Sequence, residues 1–239
     1  MLLGRFLEVS VYAPDIVESL AFYESLGFMQ ATTGEAWSHP YAVVTDGRLC
    51  IGLHRHGAAP PALTWVMPDL ARHAPALEAL GIEFDVAKLD DVSLNEVGFR
   101  DPSGQVISVI EARTFSPPSL DPAFETALGY FDEFVIPTTD LGGASAFWDR
   151  LGLVAFDPEP EPFPRVSIAS RDLNIGLYDA GLHCAMLAFS DAAMADRIGT
   201  LRDRGLPFVE RLPSGMDPAS NAVLQAPDGT LVLLATNRG

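Results

Sequence analysis

Apolar and polar side chains alternate at the start of the chain, and helical spacing follows. Strict alternation over residues 7–12 is typical of a half-buried strand whose apolar side faces a core. The alternating positions are Leu7, Val9 and Val11 on one side and Glu8, Ser10 and Tyr12 on the other. Asp15 then predicts a helix N-terminus, because its carboxylate can accept from free backbone N–H groups, and Gly27 predicts the C-terminus. Three more strands are predicted at residues 28–31, 41–45 and 49–54.

The same order of elements recurs along the chain. Residues 15–28 resemble residues 140–153, and Leu49-Cys-Ile-Gly-Leu53 resembles Leu173-Asn-Ile-Gly-Leu177. Each half repeats again more faintly, so the chain divides into four modules of about 55 residues. We predict an α+β protein with an N-terminal domain at 1–113, a linker at 114–129 and a C-terminal domain at 130–239. Each domain contains two βαβββ modules.

Tandem βαβββ modules resemble the vicinal oxygen chelate superfamily, which includes glyoxalase I, extradiol dioxygenases and bleomycin-resistance proteins. The motifs that carry the resemblance are Phe22-Tyr-Glu-Ser-Leu-Gly-Phe28, Phe147-Trp-Asp-Arg-Leu-Gly-Leu153 and the turns at 101–104 and 227–229. The resemblance implies two cup-shaped mixed sheets with helices on their outer faces. It says little about the reaction, because one scaffold can carry many functions.

The resemblance also implies where metal ligands would lie, namely on the first and last strands of each module. The first-strand positions are Glu8, Ala62, Glu133 and Cys184, with His183 replacing Cys184 if that strand slips by one residue. The last-strand positions are Gly52, Ser108, Gly176 and Leu233. None of the last-strand residues is a carboxylate, and a catalytic divalent ion needs about three protein ligands. We therefore expect no metal and no other cofactor.

Composition restricts the partners of this protein. The 239 residues include 15 basic and 32 acidic side chains, a formal net charge of −17. Such a charge disfavours nucleic acid and anionic membranes, which attract clustered Lys and Arg. Two cysteines cannot build a disulfide framework, and we find neither a signal peptide nor an apolar run long enough to span a bilayer. We expect a cytoplasmic monomer or homodimer whose partner is a small-molecule ligand.

Two glutamates are the candidate catalytic residues, because Glu8 and Glu133 occupy matching first-strand positions that face away from the apolar side. Each could act as a general acid or base, pair with a cationic or hydroxyl-rich ligand, or simply bond neighbouring strands. The candidates for lining a pocket are Ser10, Trp37, His39, Cys50, His54, Ser108, Asn174, Tyr178 and His183. The proline-rich segment at 157–164 predicts a stiff loop with acids in solvent.

Three functions follow from these patterns. The leading hypothesis is binding of a small organic molecule in a cup without a divalent metal, as in the bleomycin-resistance-like branch. The alternative is a lyase, isomerase or dioxygenase that uses an atypical metal site or uses Glu8 or Glu133 as a general base. A third is a structural role with both cups filled by side chains.

Overall fold

The computed structural model of the chain describes residues 2–32, 39–56, 61–90, 95–112 and 125–236. Most of the predicted linker at 114–129 lies outside these ranges, and so does Trp37. Within them the chain forms four helices and sixteen strands in two mixed sheets, which confirms the α+β class.

The first half of the chain forms an eight-stranded sheet. Its strands are β1 (Arg5–Tyr12), β2 (Met29–Gln30), β3 (Tyr41–Thr45), β4 (Cys50–His54), β5 (Ala62–Met67), β6 (Val86–Lys88), β7 (Glu96–Arg100) and β8 (Val106–Glu111). They are arranged in the order β2-β3-β4-β1-β5-β8-β7-β6. The first two modules therefore join along the antiparallel β1–β5 contact.

The second half repeats this arrangement. Its strands are β9 (Tyr130–Pro137), β10 (Val154–Ala155), β11 (Arg165–Ala169), β12 (Asn174–Tyr178), β13 (Met186–Asp191), β14 (Phe208–Val209), β15 (Ala222–Gln225) and β16 (Leu231–Thr236). Their order is β10-β11-β12-β9-β13-β16-β15-β14, with β9 antiparallel to β13. Modules thus pair within each half, a choice that the sequence leaves open.

Four helices cover one face of the sheets: α1 (Ile16–Ser25), α2 (Leu70–Glu78), α3 (Leu141–Arg150) and α4 (Met194–Asp203). Asp15 caps α1 by accepting from the backbone N–H groups of Val17 and Glu18, as predicted. Asp140 caps α3 in the same way. The N–H groups of a first helical turn lack backbone partners, so these carboxylates set where the helices begin.

One expectation about the fourth module is wrong. Its first strand begins at Met186, and both His183 and Cys184 precede it in an exposed loop. The pairing of Met186 with Val135 and of Ala188 with Glu133 fixes this register. Met186 therefore takes the position expected for Cys184, and a buried methionine there packs in an apolar cluster.

A single apolar core joins the two halves of the chain. Trp65 of β5 is fully buried and packs against Trp148 of α3, with ring centroids 6.2 Å apart. Phe28, which follows α1, packs edge-on against Phe189 of β13. Each half thus supplies side chains that cover the other half's sheet, and both halves belong to one buried cluster.

None of the helices in the described ranges combines the length and the apolar composition needed to cross a bilayer.

Trp148 provides a direct test of the shared core. We expect Trp148→Ala to lower the free energy of unfolding by about 3–5 kcal/mol, because it removes a large side chain from a packed interior. Val154→Ala, at a side chain that is 60% exposed, should change it by less than about 0.5 kcal/mol. Chemical denaturation measures both, and equal small effects would contradict a core that depends on Trp148.

Candidate functional site

Glu8 lies buried on the face of the first sheet that points away from the helices, which we call the N-terminal cup. Its Oε1 is 2.6 Å from Nε2 of His54 and accepts from the Ser10 hydroxyl at 2.8 Å. The Ser10 hydroxyl is also 2.8 Å from the Thr64 hydroxyl. A buried carboxylate needs such partners, because an unpaired charge is costly to remove from water. The cup therefore holds a connected polar network.

A second histidine extends this network. His39 Nε2 lies 2.9 Å from His54 Nδ1, and Tyr41 stacks on His54 with an angle of 7° between rings. If Nε2 of His54 donates to Glu8 and Nδ1 accepts, then His39 donates from Nε2 to His54. Burial, with help from His54 and His56, lowers the pKa of His39. The lowered pKa of His39 favours its neutral imidazole in this hydrogen-bond network.

Cys50 and Ser108 lie on the same cup face but outside that hydrogen-bond network. Burial raises the pKa of the Cys50 thiol to about 11, so it stays protonated at neutral pH and is a poor nucleophile. The Ser108 hydroxyl donates to Glu96 Oε1 at 3.4 Å. Neither side chain contacts Glu8 in the hydrogen-bond network.

Glu133 holds the matching position in the second sheet, whose corresponding face we call the C-terminal cup. The Tyr178 hydroxyl donates to Glu133 Oε1 at 2.5 Å, and Arg165 Nη1 is 3.7 Å from the same oxygen. Burial raises the pKa of Glu133 to about 7, while Tyr178 and Arg165 oppose the rise. The carboxyl can therefore exchange a proton near neutral pH, which suits a general acid or base.

Arg165 is held from its outer side. Its Nε and Nη2 both donate to Glu159 Oε2, at 3.1 and 2.7 Å. Charge-assisted bonds of this kind fix a guanidinium in one orientation. Nη1 is consequently the nitrogen that lies toward Glu133.

Two glycines make room for the buried carboxylates. A Cβ at Gly52 would lie 2.1 Å from Glu8 Oε1, and one at Gly176 would lie 2.4 Å from Glu133 Oε1. Both distances are far below van der Waals contact. These are the last-strand positions at which the resemblance implies a ligand, so here each glycine leaves space for the first-strand glutamate.

A cavity of about 220 Å³ lies beside Glu133 in the C-terminal cup. Its polar lining includes Arg165, Ser167, Tyr178, Ser190 and Thr236, with Asp132 at the exposed rim. Phe163 and Met216 line it from loops. Most of the lining is polar, and polar groups that converge in this way can orient a small molecule.

The two cups use corresponding positions with different residues. Tyr41 pairs with His54 across β3 and β4, and Arg165 pairs with Tyr178 across β11 and β12. His39 lies two residues before Tyr41, and Phe163 lies two residues before Arg165. The N-terminal cup therefore has two imidazoles and a phenol where the C-terminal cup has a phenyl ring, a guanidinium and a phenol.

The structure brings together part of the predicted site. Ser10, His39 and His54 contact the Glu8 network, and Tyr178 contacts Glu133. Asn174 is exposed and donates to the backbone oxygen of Asp132, while His183 lies in an exposed loop. Trp37 lies outside the described residues.

Sequence reasoning found only Glu133 and Tyr178 among the residues that line the cavity, and Phe163 and Arg165 are two of those that it missed. Phe163 belongs to the loop predicted to be exposed, yet it is only 4% exposed and packs against Tyr178. Arg165 opens the next strand. Their correspondence with His39 and Tyr41 in the repeat is the sequence feature that could have identified them.

The described donor groups do not fit a divalent metal. Among them, no three His, Cys, Asp or Glu side chains converge where an ion could be held. In the N-terminal cup both His54 nitrogens bond protein partners. In the C-terminal cup Glu133 Oε1 already accepts from Tyr178 and lies 3.7 Å from Arg165 Nη1, so that oxygen has protein partners.

Comparison with solved structures identifies the architecture. A catechol 2,3-dioxygenase superposes with a TM-score of 0.62 over 98% of this chain and 88% of its own, at 15% identity. Homoprotocatechuate 2,3-dioxygenase from Arthrobacter globiformis gives 0.63 over 98% and 80%, at 18% identity. A variant of the Brevibacterium fuscum enzyme of that name gives 0.64 over 98% and 72%, at 17% identity. This chain has the vicinal oxygen chelate fold.

Comparison with known sequences does not detect this likeness, although motifs within the chain predict it. No protein-family model matches the chain, and no curated protein matches it significantly in sequence. At these identities the superpositions show the fold alone, and the residues of the two cups decide the chemistry.

Gly176 tests whether space for Glu133 is essential. We expect Gly176→Ala to lower the free energy of unfolding by about 1–3 kcal/mol, because its methyl group overlaps the carboxyl. Gly199→Ala is the matched control, since a Cβ at Gly199 in α4 meets nothing within 4 Å. The control should raise stability by about 0.5–1 kcal/mol, as alanine favours a helix over glycine. Equal gains in both variants would show that Gly176 is dispensable.

The pKa of Glu133 predicts a pH dependence of stability. Its carboxyl binds a proton more tightly in the folded chain than at its ordinary pKa of 4.5. Between about pH 4.5 and about pH 7 the folded protein therefore carries more protons than the unfolded chain, and its stability falls as the pH rises. Across that window the parent should lose up to about 3 kcal/mol of stability relative to Glu133→Gln. Denaturation at several pH values measures the difference, and parallel curves for the two proteins would contradict it.

Proposed function

We propose that this protein binds a small, neutral, hydroxyl-bearing organic molecule in the C-terminal cup without a divalent metal. The observation that carries the proposal is the cavity beside Glu133, Tyr178 and Arg165. Carboxyl, phenol, guanidinium and hydroxyl groups converge there and can bond ligand oxygens, while Phe163 supplies an apolar surface for a ring.

Charge supports a neutral ligand over an anion. Three acids, Asp132, Glu133 and Glu159, surround the single guanidinium of Arg165 among the groups that act on Glu133. An anionic ligand would meet net repulsion in this partly buried site. A neutral phenol or catechol avoids that penalty. The solved structures of similar fold bear the names of enzymes acting on catechol and homoprotocatechuate, which makes phenols the first class to test.

Catalysis at Glu133 is a second candidate function. Its pKa of about 7 and its position at the cavity favour proton transfer to or from a bound molecule. Fold likeness to extradiol dioxygenases supports the dioxygenase alternative only at the level of architecture. The donor groups of the described residues favour a reaction that needs no metal.

Binding can be tested by titrating phenol, catechol and homoprotocatechuate into the ¹⁵N-labelled protein. We expect the two neutral molecules to shift the backbone resonances of Ser167, Ser190 and Thr236, and to bind more tightly than the carboxylate. Phe163→Ala should weaken binding by about tenfold or more, which corresponds to about 1.4 kcal/mol. The dissociation constants follow from the titration curves.

Phe156→Ala is the matched control, because Phe156 lies nearby in the chain, is 58% exposed and does not line the cavity. It should bind like the parent. Shifts confined to the N-terminal cup would show that the ligand binds there and not in the C-terminal cup that we propose. Tighter binding of homoprotocatechuate would contradict the charge argument.

A further inference from the structure

Arg165 and Tyr178 form a pair of hydrogen-bond donors on the floor of the C-terminal cup. Because Glu159 engages Nε and Nη2 of Arg165, Nη1 remains on the side of Glu133 and the cavity. Burial raises the pKa of Tyr178 well above its ordinary value, so its hydroxyl keeps its proton. Arg165 Nη1 can donate to a ligand oxygen beside Glu133, and the Tyr178 O–H can do so when it leaves Glu133.

Glu133 is the proton acceptor of this group. Tyr178 donates to its Oε1, and Arg165 lies 3.7 Å from the same atom. When Glu133 gains a proton, its need for these two donors falls, because a neutral carboxyl is a weaker acceptor than a carboxylate. The donors can then turn to a newly charged oxygen on a ligand.

We propose that the C-terminal cup removes the hydroxyl proton of a bound phenol or enol, with Glu133 as the base and with Arg165 and Tyr178 stabilising the resulting oxyanion. This inference rests on the proposed binding of a neutral hydroxylated molecule. The ligand O–H bond breaks, an O–H bond forms on Glu133, and the electron pair stays on the ligand oxygen. No oxidant, reductant or metal is required.

Charge balance favours this step inside the cup. The proton moves from the ligand to Glu133, so the total charge of the ligand together with Asp132, Glu133, Glu159 and Arg165 does not change. An ordinary phenol ionises near pH 10, so transfer to a group with a pKa of about 7 is about a thousandfold unfavourable without help. Preorganised donors aimed at the developing charge can supply that help.

The probe is 3-nitrophenol, which turns yellow when it ionises and is mostly neutral at about pH 7.5. Binding to the parent protein should increase the phenolate absorption. Arg165→Met should reduce the ratio of ionised to neutral bound probe at least about tenfold, and Arg165→Lys should restore part of it, because the charge but not the geometry of the guanidinium is kept.

Arg171→Met is the matched control, since Arg171 is 76% exposed and lies outside the cavity. It removes the same charge and should ionise the probe like the parent. An equal loss in Arg171→Met and Arg165→Met would overturn a specific role for Arg165.

The destination of the proton is tested by calorimetry in two buffers of different ionisation enthalpy. For each phenolate formed, the parent should release almost no proton, because Glu133 retains it. Glu133→Gln should release about one proton per phenolate. Equal release from both proteins would show that Glu133 is not the base.

Resonance shifts of Ser167, Ser190 and Thr236 separate the two levels of the argument. If 3-nitrophenol shifts them but stays colourless, ligand binding stands and the proton-transfer inference is wrong. If a large excess of 3-nitrophenol leaves these resonances unchanged, the proposed binding function is wrong, and so is the inference that rests on it.

Discussion

A buried carboxylate at the centre of each sheet is the constraint around which both cups are arranged. Glu8 and Glu133 are 2% and 4% exposed, and an ionised group at such depth needs hydrogen-bond donors. Gly52 and Gly176 leave the space, and His54 and Tyr178 provide the donors. The remaining groups of each cup are placed relative to these contacts.

The partners of the two carboxylates give the cups different chemistry. In the N-terminal cup, Ser10 and two imidazoles surround Glu8 in a continuous hydrogen-bond network. In the C-terminal cup, Tyr178 donates to Glu133 and Arg165 donates to Glu159, and Glu133 also borders a cavity. Duplicated backbones with different side chains can thus carry distinct reactions, which is why fold likeness to dioxygenases leaves the reaction open.

Much of the fold could be predicted from local patterns. The strand at residues 7–12 and the Asp15 cap depend on neighbours in sequence, and both are present in the structure, although a bulge between Phe6 and Glu8 places Phe6 rather than Leu7 in the core. The start of β13 could not be predicted, because it depends on pairing between Met186 and Val135 across the sheet. Phe163 was missed for a similar reason, since composition describes a loop but not the cavity into which one of its side chains inserts.

The exchange of aromatic side chains between the halves has a consequence for the history of the chain. Trp148 of the second half covers Trp65 of the first, and its indole N–H donates to Asp101 in the first half. Among the described residues, the apolar layer behind each sheet includes side chains from the other half. Because the cups lie on the sheet faces opposite to this layer, substitutions can change one cup without the other. Deletion of either half would instead expose the apolar layer of the half that remains. Packing therefore makes each half depend on the other, although the polar residues of the two cups differ.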